Sequence, residues 1–497
     1  MPKICLTLTE KTLAANLEIL EKYRNKIDLA DLRVDMLDPN ERFLIRRFPA
    51  LAGLPVILTI RRKRDGGFFA GGESARIALI ANALAYAKTD RRMNFAYIDI
   101  EEDLEIPNLE EAARAFGTGI IRSFYSQDGE IQDMVYKIKA LSHVGDEIIK
   151  CVSTPKTLDD VLVMFKVGKE LKDYNKLLIS TGNLGLCTKI LSRKIGSQWT
   201  YVNAKEASIT GEECRPKLDP EMLCDLYRFR QITADTPVYG ILGRPLNGEY
   251  WTQFFNTAFT RDNIDAIYMP FSSETLDAFF RLAPEINLRG ASIETPHKQD
   301  VLRYLTYKSA EVQNLEACNT IVQRYSGEGW EGFNTDAHAF STSILTFLGI
   351  KNFRGMRITI IGADSTAKAI AYQVWRQNGK ALIINRSESR ATELAGVFHF
   401  KAGGIDERSR KLIKKYSDLI INTTSLDMDA DAYEDPLDIY QFRGHETLMD
   451  LTYKEEETPI LKRAASVGCA TINGYDMLLR KAKYQFKCFF GVDYNEV

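Results

Sequence analysis

At 497 residues the chain is too long for one ordinary hydrophobic core, and two or three domains are expected. A formal net charge of −2 without a basic block excludes the footprint of a nucleic-acid-binding protein, and no apolar run reaches the length of a membrane span. Eight scattered cysteines without a C-x-x-C pair, and five histidines without H-x-x-x-H or H-E-x-x-H spacing, exclude the common zinc patterns, so no metal is expected.

The first residues, MPKICLTLTE, enter a strand-like alternation directly, with no signal or transit segment. Together with cysteines that read as reduced thiols, this makes a cytoplasmic location the expectation. From there to about residue 230 the apolar runs ICLTL, DLRVDML, PVILTI, FAYIDI, GIIRSF, EIIKCV, KLLIS and TYVNA alternate with amphipathic helical stretches. Eight strands with intervening helices in that length suggest a closed (β/α)8 barrel, whose active site forms beyond the C-terminal ends of the strands. Those positions supply Asp31, Arg33, Arg61, Glu101, Tyr125, Lys150 and Lys189. Arginine, glutamate and lysine on one rim suit an anionic carbonyl substrate. Burial of Lys150 is expected to lower its pKa and let it form a Schiff base.

DLRVDMLD, ILTIRRKRDGG, YIDIE, IIRSF, EIIKCV and IGSQWTYVNAKEASITGE resemble the successive strand motifs of type I 3-dehydroquinate dehydratase. The resemblance implies an imine between Lys150 and the substrate ketone, with Glu101 orienting the residue that shuttles protons. The family's histidine at that shuttle position falls here on Tyr125. Asp31 stands for a glutamate, Lys189 for a carboxylate-binding arginine, Asp65 for the glutamate of an E-G-G motif, and Glu212 for a glutamine; Arg33, Arg61 and Ser208 fit the family pattern. A phenol of ordinary pKa near 10 is a poor shuttle at neutral pH. His143 precedes its strand and is expected at the opposite end of the barrel.

After a polar linker around 230–237, PVYGILGRPL opens a new strand. Further on, RITIIGADSTAKAIAYQVWRQNGKALIINR reads as strand, tight turn, helix stopped at Gly379, and strand: a βαβ unit of dinucleotide-binding spacing. In its turn, Gly362-Ala363-Asp364-Ser365-Thr366, Asp364 puts a carboxylate where a phosphate would sit. Arg386, just past Asn385, suits a 2′-phosphate and hence NADP.

YGILGRPL, GASIETPHK, EACNTIV, GFNTD, LIINTTS, MDLTY and INGYDMLL, in this order, resemble shikimate dehydrogenase. The resemblance implies a catalytic pair of Lys298 and Asp336, substrate contacts from Asn319, Tyr453 and Lys481, and cofactor contacts that include Gly474. Here too ligand positions depart from the pattern. Glu249 and Trp251 replace two serines, Glu294 a threonine, and Lys481 a glutamine.

The expected organisation is α/β throughout: a barrel over 1–230, a substrate domain over 236–340 completed by a C-terminal helix at about 475–497, and a Rossmann NADP-binding domain over 341–474. The implied function is dehydration of 3-dehydroquinate and NADPH-dependent reduction of 3-dehydroshikimate, with no nucleic-acid or membrane partner. Since the altered residues gather at substrate, shuttle and cofactor positions, both activities are expected to be weak. The alternative expectation is a catalytically impaired or inactive paralogue that binds a metabolite or partner.

Overall fold

A computed structural model describes residues 3–84, 86–87, 90–126, 131–142, 146–205, 207, 218–243, 248–324, 329–424, 435–452 and 457–494. The chain folds as two compact units, Met1–Arg289 and Gly290–Val497.

In the first unit, eight strands form one parallel sheet: β1 (Lys3–Leu8), β2 (Leu29–Arg33), β3 (Val56–Thr59), β4 (Tyr97–Glu101), β5 (Gly119–Ser126), β6 (Ile148–Ser153), β7 (Lys176–Ser180) and β8 (Trp199–Asn203). Their order, β7-β6-β5-β4-β3-β2-β1-β8, is that of a nearly closed barrel. At the β7–β8 seam, Gln198 N–H donates to Lys176 O at 3.0 Å and Leu178 N–H to Ser197 Oγ at 3.0 Å. Cys5, Leu29, Ile57, Tyr97, Ile121, Ile148, Leu177, Ile179, Trp199 and Tyr201 form one interior cluster. Because side chains alternate along a strand, the next residues on that same face are Asp31, Asp99, Ser123 and Lys150. The helix Leu158–Glu170 covers the outside with Leu158, Val161, Leu162 and Phe165, and a Thr157–Asp160 capping box starts it.

Two glycines tighten the loop after β3. Gly66 has φ +80°, and a Cβ on Gly67 would lie 2.2 Å from Arg61 O. Backbone shape therefore accounts for the DGG run. Later in this unit β9 (Val238–Gly243) and β10 (Ile267–Ser272) pair in parallel around the helix Glu249–Arg261.

β11 (Leu288–Ile293) runs across the division point into the second unit, which contains β12 (Leu305–Lys308), β13 (Thr320–Gln323) and β14 (Trp330–Phe333). β13 pairs antiparallel with β11 and β14, and β14 runs parallel to β12. A parallel sheet follows: β15 (Arg357–Ile361), β16 (Lys380–Asn385), β17 (Lys401–Gly404), β18 (Leu419–Asn422), β19 (Thr447–Asp450) and β20 (Ala470–Asn473). Its order, β17-β16-β15-β18-β19-β20, is doubly wound, with the strand order reversing beside β15, where such sheets bind ligands. Gly379 is not the left-handed residue that ends the helix Ser365–Arg376. Asn378 takes φ +62°, while a Cβ on Gly379 would come within 2.7 Å of Val374. No helix of the described residues is long and apolar enough to cross a membrane.

Candidate functional sites

At the barrel mouth, Lys150 Nζ lies 2.7 Å from Asp99 Oδ2 and 4.9 Å from the centre of the Tyr201 ring. Both charged groups are buried. The expected fall in the Lys150 pKa does not occur. Burial pulls the ammonium down, but Asp99, with further help from Tyr201, Tyr125 and Asp31, outweighs burial and holds it well above its ordinary value. Asp99 was missed in the sequence. Its signal was the alternation of Tyr97, Asp99 and Glu101, which sets an aspartate inside a buried strand.

Glu101 has a different set of partners from the shuttle residue. Its carboxylate lies 2.7 Å from Arg76 Nη2 and 3.5 Å from Arg62 Nε, and burial nonetheless raises its pKa. Arg33 forms a two-pronged pair with Asp35, at 3.0 and 2.9 Å. The Arg61 guanidinium stacks 4.2 Å from the centre of the Tyr125 ring. Burial pushes the Tyr125 phenol up to about 12. Asp31 is buried, which raises its pKa, with Thr59 beside it; among the described residues the buried Tyr201 hydroxyl makes no hydrogen bond. Lys189 is buried on the short helix Leu186–Ile190, not at a strand end. Asp65 pairs with Arg62 at 2.6 Å. Ser208, Glu212, His143 and Tyr453 lie outside the described residues.

Elsewhere in the first unit Glu249 opens its helix, where a carboxylate favours the positive end of the dipole. Trp251 is a core residue, buried and stacked on Phe255 at 6.4 Å.

The second unit carries a four-charge cluster. Lys298 Nζ is 3.1 Å from Asp336 Oδ2 and 3.3 Å from Glu294 Oε2. Lys481 Nζ is 2.8 Å from Glu294 Oε1 and 3.1 Å from Asp336 Oδ1. Burial opposes every charge, yet the pairing wins. Asp336 and Glu294 raise Lys298, while the two ammoniums hold both carboxylates below their usual range. Asn319 is fully buried and its Oδ1 accepts from Thr335 N, Thr335 Oγ1 and Thr320 Oγ1 at 2.9, 3.1 and 3.0 Å. Among the described residues its Nδ2 makes no hydrogen bond, which leaves a buried donor without a partner. Gln485, one turn beyond Lys481, was also missed. It accepts from Ser292 Oγ at 2.8 Å and donates to Thr320 Oγ1 at 2.9 Å.

The turn after β15 brings together features for and against a dinucleotide. Gly362 has φ +120°, and a Cβ there would meet Thr423 Oγ1 at 2.2 Å, so only glycine fits. Ala363 leads to Asp364, whose Oδ1 caps the helix by accepting from Ala367 N at 2.8 Å; Ser365 is the first helical residue. A pyrophosphate would have to share this helix start with that carboxylate. Asn385 ends β16 and donates to Ser387 O at 3.2 Å, and Arg386 beside it is exposed. Gly474 caps the helix Tyr475–Phe490, and a Cβ there would lie 2.7 Å from Leu451 O, which explains this glycine by close packing. Strand order, Gly362 and Arg386 suit a 2′-phosphorylated dinucleotide; Asp364 alone opposes it. Among the described residues no group of three or more His, Cys, Asp or Glu side chains could hold a metal ion.

Comparison with known proteins agrees with this two-part arrangement. Residues 4–233 match the family model for type I 3-dehydroquinase, and residues 241–321 that for the shikimate dehydrogenase substrate binding domain. The chain belongs to the family that joins a type I 3-dehydroquinase to a shikimate dehydrogenase. The chloroplastic bifunctional 3-dehydroquinate dehydratase/shikimate dehydrogenase of Arabidopsis thaliana is 26% identical over 487 residues, covering 94% of this chain and 78% of that protein. The shikimate dehydrogenase (NADP(+)) of Moorella thermoacetica is 32% identical over 273 residues, 52% of this chain and 90% of its own length. Among solved structures, the dehydroquinate dehydratase and shikimate dehydrogenase of S. pombe AroM is 21% identical, covering 99% of this chain and 96% of its own with a TM-score of 0.44.

Proposed function

We propose that the chain dehydrates 3-dehydroquinate in its first half and reduces 3-dehydroshikimate with NADPH in its second, each step slowed by altered site residues. The observation that carries this reading is a buried lysine against a buried aspartate in each half: Lys150 with Asp99, and Lys298 with Asp336. In this reading the barrel spans 1–230, the substrate domain 236–340 with the C-terminal helix, and the Rossmann domain 341–474.

In the barrel, Asp99 takes the proton that Lys150 must lose before its nitrogen attacks the ketone. Loss of water then yields the imine, which acidifies the neighbouring carbon. A base removes that proton, an acid returns one to the departing hydroxyl, and hydrolysis frees Lys150. Tyr125, held protonated near 12, supplies the acid poorly and the base hardly at all at neutral pH. The imine therefore forms and stalls. Lys189, Arg61, Asp31, Ser208 and Glu212 belong to the proposed substrate-binding set, with Arg33 partly neutralised by Asp35.

In the second half NADPH would supply hydride to the ketone carbon. Lys298 donates a hydrogen bond, then a proton, to the developing alkoxide, and Asp336 keeps that ammonium in place. Asn319 Nδ2 offers a donor to a substrate hydroxyl. Gly362, Arg386 and the helix start at Ser365 would hold the cofactor, weakly because of Asp364. The seven described cysteines are free, which supports a reducing, cytoplasmic setting.

A coupled assay with dehydroquinate and NADPH, following dehydroshikimate absorbance and NADPH loss separately, tests the reading. Slow turnover in both channels is the expected result. Silence in both from a protein folded by circular dichroism would favour the second reading, a paralogue that binds without turning over; the raised Tyr125 phenol and the Asp364 cap are the observations on its side. Borohydride reduction with dehydroquinate should leave an adduct on Lys150, and finding none where a working homologue is labelled would remove the imine.

A further inference from the structure

The charged cluster of the second unit is a closed ring, in which each carboxylate gives one oxygen to each lysine. Asp336 uses Oδ2 for Lys298 and Oδ1 for Lys481; Glu294 uses Oε2 for Lys298 and Oε1 for Lys481. Such a ring fixes the planes of both carboxylates, which a single ion pair cannot do. It is also neutral, which is the condition for burying four charges together. Its fourth corner rides on the helix Tyr475–Phe490, which Gln485 pins to Ser292 and Thr320.

We propose that Glu294 and Lys481 are a matched pair of positioning residues for Lys298 and Asp336. Lys481 stops Asp336 from rotating off Lys298, and Glu294 balances the charge that Lys481 brings. The two positions are a threonine and a glutamine in the shikimate dehydrogenase pattern, and here either charge without the other would leave the ring charged. Glu294, which stands in place of a threonine, has its charge cancelled within the ring. The inference rests on the proposed reductive role of Lys298 and Asp336, but its test does not require turnover.

Four charged groups of the described residues act on Lys298: Glu294, Asp336 on the helix Thr335–Leu348, Lys481 on the C-terminal helix, and Asp364 in the turn after β15. Removing Lys481 leaves two carboxylates on one ammonium, which must hold its proton more tightly. Removing Glu294 leaves two ammoniums on Asp336, and Lys298 must release its proton more easily. The singles therefore move Lys298 in opposite directions, and the double change returns it toward the start.

The experiment is competitive acetylation of the full-length chain with acetic anhydride across pH, read at Lys298 by peptide mass spectrometry. It compares the parent with Glu294→Thr, Lys481→Gln and the double variant. Shifts of roughly one unit or more with opposite signs, largely cancelled in the double variant, are expected. Shifts of the same sign, or none, overturn the proposal. Thermal melting reads the same coupling: the double variant must melt above both singles, and any lower melting overturns it; should a single variant fail to fold, a double variant that folds supports the pairing and one that does not overturns it. NADPH oxidation is measured separately, so a silent parent with opposed shifts keeps the ring and rejects only the reductive reading.

Discussion

The two halves bury a Lys–Asp pair in opposite ways. In the second unit two lysines and two carboxylates close on one another, so the charges cancel within the cluster. At the barrel mouth the pairing is piecemeal. Lys150 takes Asp99, Arg33 takes Asp35, and Arg61 takes the face of Tyr125, while among the described residues the Tyr201 hydroxyl makes no hydrogen bond. Buried polar atoms without partners are costly, and they gather where a ligand is to supply the missing bonds. The barrel mouth thus leaves polar atoms for a ligand to pair, and burial keeps the Tyr125 phenol protonated near neutral pH. In the second unit Asp336 is held at both of its carboxylate oxygens, and the turn after β15 carries the Asp364 carboxylate.

The largest effect that could break this contrast is Tyr125→His. If a proton carrier is what the barrel lacks, the change should raise the dehydration rate by about 100-fold or more, followed as dehydroshikimate absorbance. No gain, with the variant folded, would place the defect elsewhere in the mouth. Next comes Arg76→Ala, which tests how far the barrel depends on its pairwise charges. Arg76 is 1% exposed in its side chain and binds Glu101, Glu73 and Ile60 O. Its loss leaves the buried Glu101 carboxylate with only its longer Arg62 contact and should cost about 3 kcal/mol in urea unfolding. In the second half Asp364→Gly should tighten NADPH binding by about tenfold, by calorimetry, since a carboxylate no longer competes at the helix start. Unchanged affinity would mean that the cofactor does not approach this turn. Loss of the cap should cost about 1 kcal/mol of stability.

The smallest effect concerns pH. Burial raises the Asp31 carboxyl, so it favours the folded state when protonated and works against it once ionised. Asp31→Asn should therefore raise the melting temperature modestly at pH 7, with the advantage vanishing below roughly pH 4, near the unfolded carboxyl value. Equal gains at both values would show that charge is not the cause. In the ring the sign is reversed for the acids. Pairing holds Asp336 and Glu294 below their usual range, so their contribution is present at neutral pH and lost on acidification.

Strand periodicity makes the eight barrel strands legible in the sequence, because runs such as EIIKCV and KLLIS have the apolar character of strands in a buried sheet. The same holds for the βαβ unit and for Gly362, whose positive φ follows from the tight turn. Individual site residues were read one by one, and there the reading reached its limit. Glu294 and Lys481 each read as a separate departure from the family pattern, since 187 residues separate them in the chain. Lys150 looked like a lysine with a lowered pKa, since its partner Asp99 lies 51 residues away. Local sequence determined which elements form and which faces they bury, because backbone preference and side-chain alternation act over a few residues. Which charges meet was decided only by the tertiary structure, because a buried charge takes its energy from the partners that folding brings to within about 4 Å.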